Sequence, residues 1–194
     1  MDSYKLAVKF PFATPSAVKP EEFVPVFHRW IQTRALPGHQ LIDVADYDHV
    51  HEGPGIVLVS HEANLHADQG RGEPGLLYRR KQPTPGSFRG RLRATFGHAL
   101  QAASLLENDH AIGGRANIRT DQASFLIFDR LLAPNSAQTF KSVRNELESF
   151  LKNLYDVPAV GLSYVERPEE LFEVEIKSPG SLPTATLLER VAAA

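Results

Sequence analysis

The chain has 194 residues, a formal net charge of −2 and 42% apolar residues. That suits one well-packed domain and offers no bulk-charge reason to expect nucleic acid or an anionic membrane as partner. There is no cysteine, which excludes disulfides, thiolate nucleophiles and cysteine-held metals and leaves His, Asp and Glu as side-chain ligands.

The N-terminal MDSYKLAVKF shows no basic-then-apolar leader, and no run nears the ~18 apolar residues of a membrane span, so a cytoplasmic protein is expected. The same segment alternates. Tyr4, Leu6, Val8 and Phe10 share one face of a strand, with Lys5, Ala7 and Lys9 on the other. After the proline-rich PFATPSAVKP, a helix is expected from about Pro20, with Phe23, Phe27, Trp30 and Ile31 as its apolar stripe. Pro25 predicts a bend or a late start, and LPGH at 36–39 an end. Residues 40–67 suggest a two-armed hairpin turning at EGPG (52–55), followed by a strand over 75–81. A long helix from about Ser87 to Glu107 carries Phe88, Leu92, Phe96, Ala99, Ala103 and Leu106 at helical spacing.

The polar loop 107–122 precedes ASFLIFDRLL, whose two apolar faces predict a central strand. Asn135 or Ser136 then caps a helix with the stripe Phe140, Val143, Leu147, Phe150, Leu151 and Leu154, ending near Asp156. Val160, Leu162 and Tyr164 alternate in one strand, Phe172, Val174 and Ile176 in another, and a short helix begins near Ser181. The expected class is therefore α+β: a mainly antiparallel sheet with helices packed on it, in one compact domain over 1–194. The order strand–helix–strand–strand at 4–67 recurs at 123–178, which suggests a β-α-β-β pseudo-duplication over about 4–107 and 114–192.

The stretch HVHEGPGIVLVSHEANLHAD (49–68) concentrates four histidines, two glutamates and an aspartate. As one continuous second arm it would line up Ser60, Glu62, Asn64, His66 and Asp68 on one face, with Val57, Val59, His61 and Leu65 on the other. Glu62 and His66, with His49 or His51, then form the candidate ligand set for a divalent metal, the one cofactor the sequence suggests. HEANLH does not fit the zinc-protease pattern, because its histidines are five apart rather than four. A metal-free alternative pairs Asp46 with His61 for acid–base work, Tyr47 and Ser60 adding hydrogen bonds. The plain alternative is a solvated hairpin face.

Charge divides sharply along the chain. Residues 35–70 hold six acids and no Lys or Arg, whereas 71–93 hold seven bases and one acid. Arg79, Arg80, Lys81, Arg89, Arg91 and Arg93 are the candidate anion- or partner-binding residues, their last members falling where a helix N-terminus favours anions. Cross-strand pairing with the acidic hairpin is the structural alternative. GGR at 113–115 fits a turn better than a phosphate loop, since no strand–loop–helix frame surrounds it. Aromatics near the basic segment are few, which disfavours nucleic acid.

Three functions follow. A non-catalytic protein-binding or assembly domain, including a homo-oligomer, ranks first because no catalytic motif is complete. A metal-assisted or His–carboxylate enzyme acting on a small anion comes next, then an anion- or nucleotide-binding sensor.

Overall fold

The computed structural model describes residues 3–13, 18–70, 73–112, 114–164 and 166–193. Period-two alternation sets the first strand, β1 (Leu6–Pro11): Leu6, Val8 and Phe10 enter the main core, while Ala7 and Lys9 face the other way. The chain continues through α1 (Pro20–Thr33), β2 (Leu41–Tyr47), β3 (Gly55–Ser60), β4 (Ala63–Asp68), β5 (Gly75–Arg80) and α2 (Phe88–Glu107). Then come β6 (Gln122–Ile127), α3 (Ala137–Tyr155), β7 (Gly161–Ser163), β8 (Phe172–Lys177) and α4 (Thr184–Ala193).

The strands form one eight-stranded antiparallel sheet in the order β2-β3-β4-β5-β1-β6-β8-β7, so the α+β expectation holds. The buried residues of all four helices join one core with the inward strand residues, so the helices cover one face only. On the other face Ala7, Leu77 and Leu126 form a separate small cluster, with Phe128 against it.

Local chemistry explains the helix starts. Pro20 opens α1, and the Glu22 carboxylate accepts the Lys19 amide at 3.0 Å. Pro25 lies inside the helix without delaying its start. Ser87 caps α2 by accepting from the Gly90 amide at 3.1 Å. Ser136 rather than Asn135 caps α3, taking the Thr139 amide at 3.3 Å, while Asn135 donates to the Leu171 carbonyl at 2.9 Å. α4 starts at Thr184, a few residues later than expected, and packs on α2 and α3.

Two sequence expectations are corrected. Residues 56–68 are not one arm: Ser60, His61, Glu62 and Ala63 make a tight turn between β3 and β4. The buried Ser60 hydroxyl donates to the Ala63 carbonyl at 2.6 Å and accepts its amide at 3.0 Å. The face assignments therefore change. Ser60 and Leu65 point to the helices, whereas Asn64, His66 and Asp68 point to the uncovered face. A turn centred on Gly53 and Pro54 would set Asp46 opposite His61 and Tyr47 opposite Ser60, whereas in the β2–β3 pair Asp46 lies opposite Ile56 and Tyr47 opposite Gly55. Gly55 is required there: its φ is +64° and an added Cβ would lie 2.0 Å from the Ala67 carbonyl oxygen.

The expected strand–helix–strand–strand order takes residues 40–67 as the first half's hairpin, and the sheet assigns that place to another one. Around the central β1–β6 pair the sheet is palindromic, β4-β5-β1 against β7-β8-β6. Each half is a strand, a helix, a hairpin and a helix. The first half's equivalent hairpin is β4–β5, and β2–β3 is an additional one outside it.

Candidate functional site

The uncovered face is built by the residues that alternate away from the core. β8, FEVEIK, buries Phe172, Val174 and Ile176 and turns Glu173, Glu175 and Lys177 outward. β1 contributes Lys9, β4 Asp68, β5 Leu77 and Arg79, and β6 Ser124 and Leu126. Lys9 Nζ donates to Asp68 at 2.5 Å, with both side chains 13% exposed. The Arg79 guanidinium stacks 4.1 Å from the Phe128 ring centre.

A trough of about 780 Å³ crosses this face. Its floor includes Leu77, Leu126 and Phe128, and it runs between Glu52 of the β2–β3 loop and the β7–β8 loop residues Arg167 to Leu171. Arg167 also lines two adjoining hollows, with Glu173 and Glu175. Glu52, Asp68, Glu169, Glu170 and Glu173 outnumber Lys9 and Arg167 in the trough lining, and Arg167 pairs with Glu170 at 3.3 Å. The trough is acidic over an apolar floor.

His66 sits beside this face, opposite Val57 and Leu77 and only 5% exposed. Neither ring nitrogen has a hydrogen bond, and Asn64 Oδ1 is likewise unmet. The Pro54 carbonyl lies close enough to favour a protonated ring but falls short of hydrogen-bond geometry. Burial dominates and pulls the His66 pKa down to about 4.

On the helix-covered side, a polar cluster that no sequence motif announces gathers at one end of the sheet. His39, in the α1–β2 connection, places Nε2 2.9 Å from the Tyr78 hydroxyl of β5 and Nδ1 3.2 Å from the Pro37 carbonyl. Its ring meets that of His98, from the middle of α2, edge to face at 4.6 Å. Arg80 lies beside Tyr78 and both imidazoles, with Nε donating to the Gln82 carbonyl at 3.0 Å. Burial pushes Tyr78 up to about 12 against the pull of Arg80. Burial, His39 and Arg80 bring His98 down to about 4, and burial also lowers His39. Burial opposes ionisation of Glu62, but the Gln40 amide, bonded at 2.8 Å, and the nearby histidines outweigh it and lower its pKa.

The structure disperses the sequence-derived metal set. Glu62 lies in the β3–β4 turn, four residues or about 13 Å of strand from His66. His49 and His51 are exposed in the β2–β3 loop. Among the described residues no three His, Asp or Glu side chains come together to hold a metal ion. The turn at 61–62 is the reason, because it ends the continuous arm on which that set depended. Asp46 and His61 are also apart. Asp46 faces Ile56 while His61 follows Ser60, about 16 Å away along β3. Tyr47 is near Asp46, and Ser60 is committed to its turn.

The basic residues divide by face. Strand alternation sends Arg79 to the uncovered face and Arg80 to the helix side. Arg89, Arg91 and Arg93 open α2, where Arg89 donates its amide to Glu146 at 3.1 Å and a guanidinium nitrogen lies 3.4 Å from Ser149. Among the described residues no ion pair joins this segment to the acids at 43–68, of which Asp68 pairs with Lys9. Arg71 and Gly113 lie outside the described residues. Arg115, of the GGR turn, bonds Glu22 at 2.8 Å and ties its loop to α1.

The signals for the His39–Tyr78–His98 cluster were weak in the sequence. His98 adjoins the apolar stripe of α2 and Tyr78 alternates inward, but nothing local links them to His39. Among the described residues no helix is long and apolar enough to cross a membrane. In comparisons with known proteins the chain matches no family model, no curated protein and no solved structure.

Proposed function

We propose that this is a protein-binding domain whose uncovered sheet face receives a basic, extended segment of a partner. The acid-lined trough over an apolar floor carries the reading. A partner strand alternating basic and apolar side chains would match both. The same acidity opposes a face-to-face pair of identical copies and repels phosphate backbones, so neither self-stacking nor nucleic acid suits this surface.

The test uses fluorescence anisotropy with a short peptide alternating lysine and leucine, and a glutamate–leucine counterpart as control. The basic peptide should bind saturably and the acidic one should not. The double variant Glu52→Lys, Glu169→Lys should bind at least about tenfold more weakly with an unchanged melting temperature, since Glu52 and Glu169 are exposed. Equal binding of both peptides, or no loss in the double variant, would remove the trough as the binding surface.

A further inference from the structure

We propose that Arg80, His39 and His98, grouped around the Tyr78 hydroxyl, form a binding site for a small oxyanion, a carboxylate or a phosphate group. The site lies on the helix-covered side of the sheet, so it stands apart from the trough.

Four segments supply the cluster: the α1–β2 connection, the β3–β4 turn, β5 and the middle of α2. A region built for packing alone would place apolar side chains there, or answer Arg80 with a carboxylate. Instead, among the described residues no acid forms an ion pair with Arg80, whose described partners are the Gln82 carbonyl and the Tyr78 hydroxyl. Glu62 is the acid that acts on the cluster, and its carboxylate is held by the Gln40 amide. Two half-buried imidazoles and a guanidinium thus surround a phenol, and Glu62, tied to the Gln40 amide, acts on them from the β3–β4 turn without forming an ion pair with Arg80 among the described residues.

The hydrogen bonds also show how the cluster would respond. With His39 Nδ1 protonated and donating to Pro37, Nε2 accepts from the Tyr78 hydroxyl. An arriving oxyanion favours a proton on His39. Nε2 then donates to the Tyr78 oxygen, and the phenolic O–H is released to turn to the anion. His98 gains a proton for the same electrostatic reason. The other groups facing the pair act in both directions. Glu62 assists protonation of His39, Arg80 opposes it in both rings, and Gln101 of α2 supports His98. His61 and Lys81 act on Glu62. Anion binding is therefore coupled to proton uptake and should be tighter at pH 5 than at pH 7, since both rings titrate below the ordinary histidine value.

The experiment follows the imidazole proton resonances of the full chain by NMR. The protein is titrated with inorganic phosphate, with acetate, and with chloride at matched ionic strength. Expected are saturable shifts of the His39 and His98 signals with at least one oxyanion, and titration of both rings about one pH unit higher in its presence. Saturation by phosphate alone assigns a phosphate ligand, and saturation by acetate assigns a carboxylate. Arg80→Gln should weaken binding at least about tenfold. If that variant does not fold, His98→Asn serves, leaving Arg80 in place, weakening binding and keeping only the His39 part of the coupling to pH. The proposal is overturned if neither oxyanion shifts the two rings beyond chloride, or if the folded variants bind as the parent does.

Discussion

His66 shows what a single buried polar side chain costs. Its flanking Val57 and Leu77 are apolar, both ring nitrogens are unbonded, and the ring is neutral at pH 7. The unfolded chain protonates this histidine near pH 6.5, the folded one only near 4. A depressed basic pKa contributes stability that is present above the unfolded value and is lost as pH falls through the folded one. His66 should therefore destabilise the fold by about 3 kcal/mol between pH 6.5 and 4. Urea midpoints across that window check this. The slope of stability against pH should flatten in His66→Leu, and parallel slopes in the two proteins would show that another group titrates. His39 and Tyr78 differ from His66 in satisfying one another through a 2.9 Å hydrogen bond.

Among the elements, the β3–β4 turn has the widest consequences. Ser60 closes it with two hydrogen bonds to Ala63, both buried. Ser60→Ala leaves the Ala63 amide and carbonyl without that partner and should cost about 1–2 kcal/mol. Chemical denaturation should show a lower midpoint at an unchanged slope. An unaltered midpoint would mean that water replaces the hydroxyl without loss. β2 illustrates how an edge is kept from pairing. Its register shifts between Leu41 and Asp43, and the Val44 amide is taken by the Asp43 carboxylate at 2.8 Å. Asp43 and Asp46 add charge along the same strand, so a partner meets the sheet's face more readily than this edge.

At the scale of the molecule, the palindrome about β1–β6 places four helices on one side and leaves the other open. The net charge of −2 conceals how that open side is loaded, because the acids of the β2–β3 loop and of the β7–β8 loop, far apart in the chain, meet across the trough. Binding of the lysine–leucine peptide should accordingly weaken by about tenfold or more between low and near-molar salt, as the Debye length shrinks to ~3 Å. Salt-independent affinity would assign the binding to the apolar floor alone.

The sequence by itself determined the elements and their inward faces. Alternation in β1 and β8 and helical spacing in α2 and α3 are local periodicities, and burial follows them directly. It also determined the outward glutamates of β8. What it left open is pairing and proximity. HEANLH has no proline or glycine to mark the turn at His61 and Glu62, so periodicity ran through it and joined residues that the fold separates. His39, Tyr78 and His98 share no local pattern and meet only because α2 crosses β5 beside the α1–β2 connection. The trough likewise exists only once the sheet brings two loops from opposite halves of the chain to one face. Tertiary structure decided these because distance between strands and helices depends on which segments pair, and pairing is a property of the whole core.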